Sequence, residues 1–379
     1  MNNPRIVAVE WARLEGRRPR EAGSNARLGP HGSTVRVPLL RVTAEDGSSG
    51  FGACHAGPER VTDLLGMRVD NLFDADHGVR ESWLPFEYAL WDLVGQRAGL
   101  PVYALAAAMT GAAVQEPLRV PCYDTSLYFD DLHVRSRQAA AELIASEARE
   151  GYERGHRAFK IKVGRGARHM PLEEGTQRDI AVVRAVRAAV GSNVPIMLDA
   201  NNGYNLNLAK HVLAETADCG IFWLEEAFHE DDVLYRDLRA WLAEQGLPTL
   251  IADGEGQADL RLVRWASEGL IDVIQYDIFS YGMTRWLALG RELDGMGVRS
   301  APHHYGGHYG NYAAGHLAGA IRGFTYAEWD EATIEGLDTS GYAVHEGFVL
   351  LPSAPGFGLA LDEAVFQRAL AHDGVRQAL

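Results

Sequence analysis

Cysteine is scarce. The 379 residues hold three, Cys54, Cys122 and Cys219, with no C-x-x-C spacing. An odd, scattered count excludes a disulfide framework and a cysteine-rich zinc cluster, and it predicts free thiols in a reducing compartment, the cytoplasm. Positive charge is also in deficit. Thirty-six Lys and Arg against fifty-one Asp and Glu give a formal net charge of −15, which argues against nucleic acid or an anionic membrane surface as a partner. No run of about 18 apolar residues occurs, so no membrane span is expected. The opening residues from Met1 lack the basic segment and long apolar run of a signal peptide. Internal repeats and low-complexity tracts are absent as well.

What is present is a globular composition, 47% hydrophobic and 23% charged, with enough chain for two domains or one barrel with additions. Residues 5–14 and 34–43 read as strands, and Asp46-Gly47 between apolar runs reads as a hairpin turn leading to Phe51–Cys54. The stretch from Gly16 to Gly32 holds Arg17, Arg18, Arg20 and Arg27 among Gly, Pro and Ser. It reads either as a solvated loop or as a lid over an anionic substrate. Residues 60–78 and 81–98 read as helices, the second amphipathic. Strands first and helices second make residues 1–117 an α+β unit.

From Leu118 the pattern becomes strand then helix, repeated, with strand ends roughly 25 to 40 residues apart, the repeat of a parallel βα barrel. The predicted fold class is α/β: a (β/α)8-type TIM barrel over 118–330, with the α+β capping domain before it. The segment 331–379 is predicted to return to that domain and complete it. Predicted strands end at Lys160-Ile161-Lys162, Asp199, Glu225-Glu226, Asp253-Gly254-Glu255, Asp277, His303-His304 and Glu328. A strand buried on both faces must be apolar, so a titratable residue at its end belongs to the carboxyl-terminal rim, where barrel active sites lie.

Asp199, Glu225 and Glu255 are three hard oxygen ligands from successive strands. Together they suit Mg2+, with Mn2+ as the alternative. Asp253, two residues before Glu255, is an alternative ligand, whereas Glu226 points away from Glu225. Lys160 and Lys162 share one side of their strand, and a Lys beside a cation and a second Lys gains a depressed pKa and can act as a base. Asp277 and His303 form a candidate acid/base dyad. Glu328, if protonated, could stabilise a substrate oxygen on which charge develops. His304 and His308 read as substrate contacts, and His316 as helical packing.

These motifs resemble the enolase superfamily, in its mandelate-racemase-like branch. Lys160-Ile161-Lys162, Asp199-Ala200-Asn201, Glu225-Glu226, Gly254-Glu255, Asp277 with His303, and Glu328 carry the resemblance. The Asp46-Gly47 hairpin, Ala89-Leu90-Trp91-Asp92 and Pro355-Gly356-Phe357-Gly358 extend it over nearly the whole chain. Ala227 and Tyr281-Gly282 depart from it, standing where Pro and Gly-Gly are usual. The resemblance implies Lys162 as base, Lys160 as carboxylate partner, and a homo-oligomeric assembly. It also implies removal of the proton α to a carboxylate, for which this superfamily is a known example of a Lys or His base working with Mg2+. Dehydration of a sugar acid to a 2-keto-3-deoxy acid is the favoured outcome, because the lid candidate is polar and Arg-rich. Racemisation, epimerisation or cycloisomerisation uses the same ring, and a non-catalytic ligand-binding barrel is the remote alternative. Asn201, His304 and Arg20 are the predicted substrate contacts.

Overall fold

The structure, a computed structural model, describes residues 3–114, 116–256 and 258–379. Met1 and Asn2, at the head of the segment read for a signal peptide, lie outside the described residues, as does Gln115 of the first unit. No helix among the described residues is long and apolar enough to cross a membrane. Cys54, Cys122 and Cys219 are buried and unpaired.

The capping sheet is built from β1 (Ile6–Ala22), β2 (Gly32–Ala44) and β3 (Ser49–Ala53), all antiparallel. Gly47, at φ +82°, makes the predicted turn between β2 and β3. The expected loop from Gly16 is a correction. β1 runs on to Ala22, leaving only residues 23–31 as loop, because Gly16 and Arg17 pair both with Val35 and Thr34 of β2 and with Ile334 and Thr333 of the returning tail, and Ala22 pairs with Gly32. A partner over 300 residues away leaves no local signal. Residues 60–78 also differ from the expected helix. They form two single turns and a two-residue strand pair, broken at Gly66 and Gly78, both with positive φ. The next helix, α1 (Glu87–Ala98), begins after a 3-10 turn containing Pro85, which has no N–H to give. It is followed by α2 (Val102–Thr110), which the pattern had not revealed.

The barrel strands are β4 (Leu118–Leu127), β5 (Phe159–Lys162), β6 (Ile196–Asp199), β7 (Ile221–Glu225), β8 (Leu250–Asp253), β9 (Val273–Ile274), β10 (Arg299–Ser300) and β11 (Ala327–Trp329). Neighbours from β4 to β10 pair in parallel. β11 pairs in parallel with β4, and a parallel bridge from Ser300 to Phe324 closes the ring. Between them run α3 (Arg137–Glu153), α4 (Leu172–Val190), α5 (Leu206–Glu215), α6 (Asp232–Gln245), α7 (Leu262–Ser267) and α8 (Met283–Met296). Ser136, Asn205 and Asp231 cap α3, α5 and α6 through their side chains. The helix that the strand-then-helix repeat implies before the last strand, over 311–320, is a single α turn followed by a 3-10 turn. Tyr123, Met197, Trp223, Ala252, Val273 and Ala301 pack as the barrel's inner floor.

The tail returns to the cap. β12 (Thr333–Ile334) and β14 (Val375–Ala378) both pair with β1, and α9 (Glu363–Asp373) is tied to β2 by Arg41–Glu363 at 2.6 Å. β13 (Phe348–Leu351) runs antiparallel to the start of β4. Cap and barrel are also joined by Glu87 of α1, which accepts the Met283 and Thr284 amides (2.8 and 2.9 Å) at the start of α8. Gly282, at φ +100°, departs from the usual Gly-Gly only in its first residue. A Cβ on it would lie 2.9 Å from Glu87 Oε1. Replacing Glu87 with Ala should destabilise the fold by about 1–3 kcal/mol, because two amides at the helix end lose their acceptor. The drop in the urea midpoint measures it, and an unchanged midpoint would show that α8 does not depend on the cap.

Candidate active site

Register places the ring. Lys162 pairs with Asp199, Asp199 with Glu225, and Glu225 with Ala252, so the first three side chains stand in one inward layer. Asp253 therefore points outward, where the Tyr235 hydroxyl donates to it at 2.5 Å. Burial pushes the Asp253 carboxyl up to about 8. Gly254, at φ +134°, breaks the alternation and sends Glu255 inward. The expected shared side of Asp253 and Glu255 thus fails, and Asp253 is no alternative ligand. Oxygens of Asp199, Glu225 and Glu255 come within 4.8 Å of one another. All three donors are carboxylates, which fits a hard divalent cation.

Both lysines enter this cluster. Lys160 Nζ lies 2.8 Å from Glu225, 3.4 Å from Asp199 and 3.2 Å from Glu328, and Lys162 pairs with Asp199. Glu225 also accepts from Trp223 Nε1 (3.0 Å) and Gln275 Nε2 (2.9 Å). Burial and the Asp199 charge push Glu225 up to about 7, against the pull of the lysines. The charges around Lys162 oppose one another. Burial and Lys160 press the Lys162 pKa down, but Asp199, Glu255 and Glu225 together outweigh them and hold it above the ordinary value.

Across the mouth, His303 Nδ1 lies 3.2 Å from Asp277, and its Nε2 faces Glu255 (3.5 Å) and Glu328 (3.9 Å). Burial works against the imidazolium, yet Glu255, Glu328 and Asp277 raise it to about 10. Glu328 accepts from Thr125 Oγ1 (2.7 Å) and from the His304 and Tyr305 amides (2.8 and 2.9 Å). Despite burial, Lys160 and His303 hold its carboxyl well below the usual range. A protonated Glu328 is therefore a correction. It is a carboxylate that fixes Lys160 and the backbone amides of His304 and Tyr305.

This arrangement has relatives. A family model described as Enolase C-terminal domain-like matches residues 143–365. The chain belongs to the enolase superfamily. A galacturonate dehydratase from Geobacillus sp., solved with D-galacturonate and 5-keto-4-deoxy-D-galacturonate, is 48% identical with a TM-score of 0.94, covering 100% of both chains. A mandelate racemase/muconate lactonizing protein from Geobacillus sp. Y412MC10, solved with magnesium and tartrate, is also 48% identical, with a TM-score of 0.96, over 100% of this chain and 98% of that one. A D-gluconate/D-galactonate dehydratase from Picrophilus torridus is 24% identical over 94% of each chain.

In this superfamily member three predicted contacts are placed differently. Arg20 is turned to the outside of the barrel, donating to Ser126 (3.0 Å to Oγ) and facing Asp130 and Glu147 at 3.5 and 3.6 Å. It locks the cap to β4 and α3. His304 alternates away from His303 and is fully buried, its Nε2 on the Glu328 carbonyl at 2.8 Å. His308 is buried against Tyr312 at 3.2 Å. His316 packs as expected, between Tyr103 and Tyr342. Asn201 does join the ring. Its amide donates to Glu226 (2.9 Å) and Glu255 (3.3 Å), and its buried Oδ1 has no protein partner.

Sequence reading missed the mouth's aromatic wall. Tyr128 and Tyr305 stack at 4.7 Å, with Lys162 5.2 Å from the Tyr128 ring centre and Arg18 4.8 Å from that of Tyr305. The cap loop lies over the ends of β5 and β6. A Cβ on Gly164 or Gly203 would come within 3.0 and 2.6 Å of Ala26. The one available signal was the spacing of Tyr305 from His303, two residues on along an extended segment.

Glu225→Gln should weaken Mg2+ binding at least tenfold by calorimetry, whereas Asp253→Asn should leave it unchanged. The reverse pattern would move the metal site to the other carboxylate.

Proposed function

We propose that this protein is a Mg2+-dependent sugar-acid dehydratase, with D-galacturonate as the first substrate to test. The observation that carries the reading is the opposition of Lys162, on the second barrel strand, to the His303–Asp277 dyad at the seventh, across three clustered carboxylates. The full-length relative solved with D-galacturonate supports the substrate. Asp199, Glu225 and Glu255 are the metal ligands. The bound ion supplies Lewis-acid stabilisation of charge on the substrate carboxylate.

Lys160 holds one oxygen of that carboxylate and is itself fixed by Glu225 and Glu328. Once Asp199 shares its charge with a divalent cation, its hold on the Lys162 proton weakens. Burial and the Lys160 charge then move Lys162 toward the neutral amine a base needs. Lys162 takes the α-proton, and the electron pair of the C–H bond moves toward the carboxylate. His303, protonated and oriented by Asp277, gives its proton to the departing β-hydroxyl, so water leaves and an enol remains. The enol tautomerises to the α-keto-β-deoxy acid. Numbered from the carboxylate this is a 2-keto-3-deoxy acid. In a hexuronate, numbered from the aldehyde, the same change gives a 5-keto-4-deoxy acid. Asn201 Oδ1 accepts a substrate hydroxyl.

The working unit divides into the cap (1–117), the barrel (118–330) and the tail completing the cap (331–379). Free buried cysteines support a cytoplasmic setting. A homo-oligomer is the assembly that the resemblance implies, and sedimentation tests it.

A panel of sugar acids with Mg2+ in D2O, read for keto acid and for deuterium at Cα, tests the reaction. Keto acid that disappears with EDTA supports the dehydratase, whereas exchange or inversion without keto acid replaces it with an epimerase. Lys162→Ala should lower keto-acid formation by about a thousandfold or more while Mg2+ binding persists. Full activity in that variant would overturn the assignment.

A further inference from the structure

This inference rests on the dehydratase reading and concerns the far end of the substrate. His31 ends the cap loop and sets its ring edge-on against Tyr128 (4.9 Å) and Tyr305 (5.4 Å). Those are the same two rings that carry Lys162 and Arg18 on their faces. The His31 Nε2 atom is buried and hydrogen-bonds to no protein group. Burial lowers the imidazole to about 4, and the charges of Lys162 and Arg18 push the same way, so the ring is neutral and can donate or accept one hydrogen bond.

Arg18 is the cation on this side of the mouth, and it is already committed. It grips Asp330 through Nε (3.0 and 3.2 Å) and Nη2 (2.8 Å), and Nη1 donates to the Gly32 carbonyl at 3.3 Å. Asp330 is itself buried beneath it. The wall over Lys162 therefore offers hydrogen bonding and aromatic surface with a neutralised cation behind it. A hydroxyl or aldehyde hydrate satisfies an orphaned imidazole nitrogen. A second carboxylate would lose its water there and find no free positive charge.

We propose that His31 is a specificity-determining residue that hydrogen-bonds the uncharged distal end of the sugar acid, and that this wall selects monocarboxylic sugar acids over the corresponding diacids. The two classes share the reacting α and β carbons, so the chemistry of the ring does not separate them. Discrimination must come from a group outside the ring, and His31 is delivered by the other domain.

The test compares D-galacturonate with galactarate, which has the same stereocentres and a carboxylate in place of the aldehyde. Both are assayed with Mg2+ on the wild-type protein, His31→Ala and His31→Gln. The wild type should favour galacturonate by about a hundredfold in kcat/KM. His31→Ala should raise KM for galacturonate about tenfold or more with kcat changed only a few-fold, and should narrow the preference. His31→Gln, which keeps a donor and an acceptor, should recover part of the loss. Mg2+ affinity measured by calorimetry should be equal in all three, which separates lost recognition from lost folding. An unchanged KM in His31→Ala, or wild-type turnover of galactarate within tenfold of galacturonate, overturns the inference and leaves the dehydratase reading standing. Keto acid from no sugar acid at all removes both.

Discussion

The mouth of this barrel is governed by charge compensation among buried groups. Asp199, Glu225, Glu255 and Glu328 face Lys160 and Lys162, an excess of two negative charges, while His303 and Asp277 neutralise each other. Desolvated charges are tolerated only when paired, and the proton affinities divide accordingly: Asp199 and Glu328, held by the lysines, are drawn below the carboxylate range despite burial. Glu225 is driven up to about 7 and His303 to about 10, both in directions that remove negative charge. A divalent cation cancels the excess outright. In the dehydratase reading, an ion held by Asp199 would also relax its grip on Lys162, so the condition that balances the site would free the base.

That balance dictates how the rest of the chain is arranged. The inward layer of Lys162, Asp199 and Glu225 exists because three consecutive parallel strands align those residues. The floor of Tyr123, Met197 and Trp223 beneath it keeps water from entering below. Trp223 and Gln275 add neutral donors to Glu225 without adding charge. The barrel thus carries the titratable ring, while the cap brings Ala26 and His31 over its mouth. Division of labour between domains follows from what each can offer. Strand ends give rigid geometry, and a loop between two long strands gives a replaceable wall.

The ring was legible because a titratable residue at the end of an apolar strand is costly to bury and so is rarely there for packing alone. Lys160, Lys162, Asp199, Glu225, Glu255, Asp277 and His303 all converge as their positions along the chain implied. What failed to be legible depended on backbone turns or distant partners. Asp253 and Glu255 look like same-side neighbours until Gly254 takes a φ that no strand has. Arg18 and Arg20 look like free lid cations until Asp330, Asp130 and Glu147, from over 100 residues away, claim them. The strand from Gly16 to Ala22 was hidden in part for the same reason, since Gly16 and Arg17 pair with the tail as well as with β2. His31 gave no pattern at all, because a lone histidine at a loop end acquires meaning only from the rings it touches.

The backbone shows what the ring costs. Among the described residues four non-glycine residues have positive φ, and three of them, Asn201 (42°), Asn202 (59°) and Glu226 (43°), directly follow the ligand-bearing ends of β6 and β7. Asn tolerates this region because its short amide can bond locally, but Glu has no such relief, and each such residue costs about 1–3 kcal/mol. The strain is held by local bonds. Asn202 N donates to the Glu226 carbonyl at 2.7 Å, and the Glu226 carboxyl takes both asparagine amides, at 2.9 and 3.2 Å. The Asn201 amide N–H in turn fixes Asp199 Oδ1 at 2.9 Å. The turns after two neighbouring strands are thereby tied together, just beyond the parallel pairing that sets Asp199 beside Glu225. Glu226, which lies outside the carboxylate cluster, braces the turns that follow two of its members.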